Sequence, residues 1–408
     1  MGAHESSLFK RRAQPSGAEK LIAVVADSTS AEVINNVVLD HGVATSHVTL
    51  GSLDDAVAVM TSLKESPHYL IIDVSDSAMP ISDLMRLADV VDPSVTVVAV
   101  GERNDVGLFR SLLQLGVHDY LVKPLTVELV RRSLASNDAS TSPRMGKALS
   151  FVGTRGGVGV TTIATALSSH LADKTRRRIA YVDLDPYGGG ATSMFGVAAT
   201  SGLIELLQNS QRLDQQLISQ AFIAQSDRLF VLASELPYDQ DFSLRAGALS
   251  ELIVMLKRHF HYIVMDLPQR GGMLIDEAFE ASAMIHVVSD LSVHSAREAA
   301  RLCQFAETRD ANPAISVLVN ESRQPVAGRV ESKDFIGALA RGSVHALPYE
   351  PHTLALAENL GEALASTQRS PFAAAIVALA NSVTGNDETA APARLPWYRR
   401  LTPMRRAS

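Results

Sequence analysis

The chain has 408 residues, 46% hydrophobic and 20% charged, which at roughly 150 residues per domain is room for two to three folded domains. Its 37 Lys and Arg against 44 Asp and Glu leave a net charge of −7, a balance that argues against bulk nucleic-acid binding. One cysteine (Cys303), no apolar run near the ~20 residues of a membrane span, and no apolar stretch after Lys10, Arg11 and Arg12 together predict a cytoplasmic chain.

Residues 1–19 read as a disordered N-terminus. Between 20 and 136, short β-rich runs alternate with helix-period segments: Leu21 to Val25, Tyr69 to Ile72, Val95 to Val100 and Tyr120 to Val122. Continuous apolar strands of this kind predict a parallel sheet buried on both faces. Residues 137–146 read as a linker, polar and interrupted by Pro143. A longer alternation over 147–385 contains seven strand candidates: 148–152, 179–182, 229–232, 262–265, 284–288, 315–319 and 344–347. The expected fold class is α/β, two doubly wound parallel-sheet domains in series. Residues 386–408 form a tail carrying Arg394, Arg399, Arg400, Arg405 and Arg406 beside Trp397, with Pro396 and Pro403 breaking any long helix.

In the first domain, Asp73 ends one apolar run, Asp27 follows another, and Lys123-Pro124 closes a third. These positions resemble the response-regulator receiver fold, in which the aspartate accepts a phosphoryl group, the lysine contacts it and an acidic pair holds magnesium. Two departures weaken that chemistry. Gly101 stands where the family has a hydroxyl residue, and Ala26 where it has the second acid. A carboxylate accepts phosphate only when cations offset the charge brought together. The expectation is a docking module in which Asp73 and Lys123 form an ion pair, with phosphorylation at Asp73 as the alternative.

The second domain opens on Gly153-Thr154-Arg155-Gly156-Gly157-Val158-Gly159-Val160-Thr161-Thr162 at a strand-to-helix junction. Such a loop wraps an anion with backbone N–H groups, the helix N-terminus adds a favourable dipole, and the Thr161 hydroxyl is placed for magnesium. The loop resembles the deviant Walker A motif of the MinD/ParA ATPases, except that both family lysines are replaced, by Arg155 and Val160. The resemblance continues in family order: Asp183 and Asp185 after one strand, Asp266 after another, Asn320 after a third, and Pro348 in a following loop. It implies ATP and Mg2+ as ligands. Thr161, Asp183 and Asp266 would serve the metal, Asp185 would orient the attacking water, and Asn320 and Pro348 would contact the base. Residues 155–162 would hold the phosphates.

A degenerate receiver followed by such an ATPase is similar to the TadZ/CpaE proteins of tight-adherence (Flp-type) pilus systems. That likeness implies an ATP-binding localisation and assembly factor, a homodimer that partners pilus secretion machinery and binds no nucleic acid. Without a cation at Val160, charge stabilisation of phosphoryl transfer is lost and hydrolysis is expected to be weak or absent. The alternatives are an active ATPase cycling between monomer and dimer, with Arg155 standing in for the lysines, a nucleotide-free docking protein, and a DNA-partitioning protein. The basic tail has two readings, a peripheral contact with an anionic membrane and a solvated tail. His259 and His261 lack partners at metal-ligand spacing and read as structural.

Overall fold

The computed structural model describes residues 20–41, 45–63, 66–135, 145–175, 177–213, 215–240, 244–269, 272–320, 330–339, 343–360 and 370–385. The expected disordered N-terminus, most of the expected linker and the basic tail lie outside the described residues. The chain divides into two compact units, Met1–Met145 and Gly146–Ser408.

The first unit holds β1 (Lys20–Val25), β2 (Thr45–Leu50), β3 (Tyr69–Asp73), β4 (Thr96–Gly101) and β5 (Asp119–Val122). They form one parallel sheet in the order β2-β1-β3-β4-β5. Along β1, Ile22 and Val24 enter one core while Leu21, Ala23 and Val25 enter another. Both faces are covered, so the apolar runs are continuous rather than alternating. The strand β2 was not among the expected runs and is added by the structure. Among the described residues it pairs only with β1, and His47, Thr49 and Leu50 are exposed, so its sequence obeys the rules of a solvated edge rather than of a buried strand.

The second unit holds β6 (Lys147–Gly153), β7 (Ile179–Asp183), β8 (Ile223–Ala224), β9 (Leu229–Leu232), β10 (Tyr262–Asp266), β11 (Met284–Ser289), β12 (Ala314–Asn320) and β13 (Ser343–Leu347). The sheet order is β13-β12-β11-β6-β10-β7-β9-β8, parallel except for β8 against β9. Seven of these match the expected runs; β8 is a correction, a two-residue antiparallel strand too short to show a period. Again the strands divide two cores, Ala148 and Val152 on one face of β6 and Leu149 and Phe151 on the other. Cys303 is buried on the helix Val293–Glu307. The strands flanking β6 are β10 and β11, and the crevice of an open parallel sheet opens at the carboxyl ends of such strands. The chain places its acids there.

Candidate functional site

In the first unit, Asp73 ends β3 and is buried. Its carboxylate accepts the Ala26 N–H (3.0 Å), the Ser75 N–H (2.9 Å) and the Ser75 hydroxyl (2.6 Å). Lys123 Nζ lies 2.6 Å from Asp73 Oδ2 and 2.7 Å from Asp27 Oδ2. Asp27 also accepts from the Ser30 N–H (2.7 Å) and hydroxyl (2.9 Å). The three sequence-selected residues are thus brought together as one closed triad. The Lys123 hydrogen bond, with those from Ser30, holds the Asp27 carboxyl down at about 2 against the opposing effect of burial. Burial pushes the Asp73 carboxyl up, but its donors outweigh that and leave it below the usual carboxylate range. Gly101 has a steric reason: a Cβ there would lie 2.4 Å from the Tyr120 hydroxyl, which donates to the Arg103 carbonyl at 2.9 Å. Tyr120 occupies the space that a hydroxyl side chain at Gly101 would need.

In the second unit, a cavity of about 520 Å³ is lined by the glycine loop, by Asp183, Asp185 and Gly188 to Gly190 after β7, by Asp266 to Gln269 after β10, and by Glu358. Gly157 and Gly159 have φ of +74° and +96°, the left-handed region that turns consecutive N–H groups inward and favours glycine. Space around them differs. A Cβ on Gly157 would meet nothing within 4 Å, whereas one on Gly159 would lie 2.4 Å from Asn320 Nδ2. The helix Val160–Asp173 starts directly at the loop, aiming its N-terminal N–H groups at the cavity. Arg155, Gly156, Gly157, Gly159, Val160, Thr161 and Thr162 line it; Val158 is buried beneath.

Three expected acids converge on this cavity. Asp183 is buried and accepts the Asp185 N–H at 3.1 Å and the Ala191 N–H at 3.4 Å. Asp266 is buried and accepts hydroxyl hydrogen bonds from Thr161 and from Tyr181, the latter at 2.8 Å. Asp185 accepts the N–H groups of Tyr187 (3.1 Å) and Gly188 (3.0 Å). Burial, then the Asp266 charge, raises the Asp183 carboxyl far above the usual range. Burial raises Asp266 as well, opposed by its hydroxyl donors. Two buried carboxylates this poorly compensated form a site that gains from a cation. Mg2+ is commonly held by one or two carboxylates and keeps water and phosphate oxygens as its other ligands. The residues present therefore fit a magnesium nucleotide: Thr161, Asp183 and Asp266 for the ion, the loop N–H groups for phosphate.

Asn320 and Pro348 fall outside the cavity lining. Asn320 is buried and donates from Nδ2 to the Val158 carbonyl at 2.8 Å, bracing the loop from below. Pro348 follows β13. Sequence reasoning missed two partners. One is Tyr181, fully buried under Asp266. The other is Asp290, which follows β11 and binds the Arg155 guanidinium through Nε at 3.1 Å and through Nη2. Asp290 carries the same signal as the other acids, a carboxylate directly after an apolar strand, but only the sheet order places it beside the loop.

Residues 146–316 match the family described as AAA domain. The second unit has a MinD/ParA-like α/β fold. Its fold matches MinD of Pyrococcus horikoshii OT3 complexed with Mg-ADP, at 18% identity over 59% of this chain and 96% of that one, with a TM-score of 0.51. A ParA family protein of a Chlamydia psittaci virulence plasmid is 29% identical over 140 residues, 33% of this chain. The match spans about half, 54%, of that curated relative. A CpaE pilus assembly protein from Caulobacter crescentus CB15 is 30% identical over 28% of this chain and 89% of that chain, with a TM-score of 0.27. No helix among the described residues is long and apolar enough to cross a membrane.

Proposed function

We propose that the chain is an ATP-binding localisation and assembly factor for a tight-adherence (Flp-type) pilus secretion system, acting as a nucleotide-stabilised dimer with weak or absent hydrolysis. One observation carries the nucleotide part: the anion cradle is complete while its cations are not. The glycine loop, the helix N-terminus and the buried Asp183 and Asp266 stand in place. Val160 offers only an apolar branch packed toward the core, and Arg155 is bound to Asp290. Bound Mg2+ would supply charge neutralisation between the phosphates and the two buried acids. The chain itself holds phosphate through backbone N–H groups, keeps Thr161 and Tyr181 as proton donors to Asp266, and places no side-chain cation at position 160. Nucleotide that binds without turning over adds dimer-specific free energy and sets a docking surface. The pilus assignment rests on the order of the two units, a receiver-like module whose triad is closed by Lys123 followed by this AAA domain. The cytoplasmic, polar or membrane-associated setting, the secretion-machine partners and the tail's membrane contact belong to the same proposal.

A second reading, a cycling ATPase in which Asp185 would orient the attacking water, is favoured by that residue's position in the cavity lining. Equilibrium binding of a labelled ATP analogue with magnesium, sedimentation with and without ATP, and long-incubation phosphate release separate the readings. Micromolar binding with an ATP-dependent mass shift and little release supports the scaffold. Turnover abolished by Asp185→Ala supports the cycling enzyme, and absence of binding refutes both.

A further inference from the structure

Arg155 lines the phosphate cavity but its charge does not face it freely. The guanidinium gives Nε (3.1 Å) and Nη2 to a single oxygen, Asp290 Oδ2, and Nη1 to the Gly156 carbonyl at 3.1 Å. The other Asp290 oxygen is held by the Ser292 hydroxyl (2.8 Å) and N–H (3.3 Å), at the start of the helix Val293–Glu307. The carboxylate is therefore fixed from behind before it meets the arginine. Only 12% of the Asp290 side chain and 22% of the Arg155 side chain are exposed. Burial would raise the Asp290 carboxyl, yet Ser295, Arg155 and Ser292 pull it down to about 2, so the carboxylate stays ionised throughout the physiological range.

We propose that Asp290 is a latch on Arg155: it holds the loop's one side-chain cation off the phosphate position, and a nucleoside triphosphate engages that cation only after the ion pair opens. The proposal deepens the nucleotide-binding reading and rests on it. The competition is between two anions for one guanidinium. A prefixed carboxylate holds Arg155 in the free protein, and a polyphosphate with one more charged group than a diphosphate is the ligand with the charge to displace it. The cavity that Arg155 lines also carries Asp183, Asp185, Asp266 and Glu358. Asp290 thereby acts as a positioning residue through Arg155 and touches no ligand itself.

The test is the affinity of the full chain for magnesium ATPγS and magnesium ADP in four forms: wild type, Asp290→Asn, Arg155→Ala, and the double variant. Asp290→Asn keeps the side chain's shape and its Ser292 contacts. Releasing a hydrogen-bonded charged partner predicts about tenfold tighter ATPγS binding with little change for ADP. Because removing a negative charge helps any anion, the gain must vanish when Asp290→Asn is made in the Arg155→Ala background. A gain that persists there, an equal gain for ADP, or weaker binding in Asp290→Asn overturns the latch. Peptide-mapped phenylglyoxal modification of Arg155 without nucleotide reads the latch independently. Several-fold faster labelling in Asp290→Asn supports it and equal rates overturn it. Failure of the wild type to bind either nucleotide sinks the nucleotide reading and leaves the labelling result to decide whether the ion pair restrains Arg155.

Discussion

His286 lies at the centre of β11, fully buried, with Phe151 of β6 and Ser316 of β12 as its register neighbours. Its ring sits 4.5 Å from that of Phe151, and neither ring nitrogen has a hydrogen-bond partner among the described residues. Burial, reinforced by nearby His345, pushes the imidazole from 6.5 down to about 3, so it is neutral in the fold. The unfolded chain takes up a proton near 6.5, whereas the folded chain refuses it until far lower. This contribution is therefore fully present above about 6.5 and is lost as pH falls from there toward 3. Between pH 7.5 and pH 4.5 two decades of that window are crossed, costing about 3 kcal/mol at about 1.4 kcal/mol per unit. His286→Leu replaces an unsatisfied polar ring by an apolar side chain of similar volume. At pH 7.5 the variant should be at least as stable as wild type, because it removes a buried group whose desolvation costs about 1–3 kcal/mol. At pH 4.5 its advantage should have grown by about 3 kcal/mol. Urea unfolding monitored by far-UV circular dichroism, with hydrogen exchange of β11 amides assigning the transition to the second unit, measures the difference. An advantage that does not change between the two pH values refutes the reasoning.

Lys123→Ala leaves the buried Asp73 facing Asp27 without a cation and should destabilise the first unit by about 3–5 kcal/mol, as loss of one partner of a buried ion pair does; adding Asp73→Ala should recover most of the loss in thermal melts. Gly101→Thr drives a side chain into the Tyr120 hydroxyl and should lower the melting temperature, with Tyr120→Leu restoring it; an unchanged melting temperature would remove the steric account of Gly101. Gly159→Ala demands a positive φ from an L-residue and collides with Asn320. It should cost about 1–3 kcal/mol and weaken magnesium ATPγS binding, whereas Gly157→Ala, strained but sterically open, should cost less in stability. Acid titration of the first unit should show the Asp27 contribution present above about 4 and lost as pH falls through 2, a loss absent from Asp27→Asn.

The parts of the fold legible in the sequence were those where burial on two faces writes an unbroken apolar run, as at Tyr69 to Ile72 or Ile263 to Met265. The edge strand β2 hid because half its surroundings are water, and β8 because two residues carry no period. The glycine loop is legible because its glycines and threonines cluster within ten residues at a strand-to-helix junction. The partners Tyr181 and Asp290 were not, being 85 and 135 residues from the groups they bind. Asp27, Asp73 and Lys123 met as the sequence suggested, but the reason for Gly101 lies in Tyr120 on the neighbouring strand, which no spacing shows. Asn320 stands out through the family resemblance of the strand it ends; its hydrogen bond to Val158 needs the fold.

The edges of the larger sheet bear on what happens when many copies collect in one place, as the proposed localisation role would require. Naked strand edges in a crowded zone recruit one another into growing sheets. Here one edge, β8, spans two residues and runs against its neighbour, a template too short and wrongly directed to extend the parallel array. The other, β13, turns Ser343 and Ala346 to solvent, giving an incoming strand little apolar surface to cover. Both edges therefore disfavour runaway polymerisation of copies held at high local concentration.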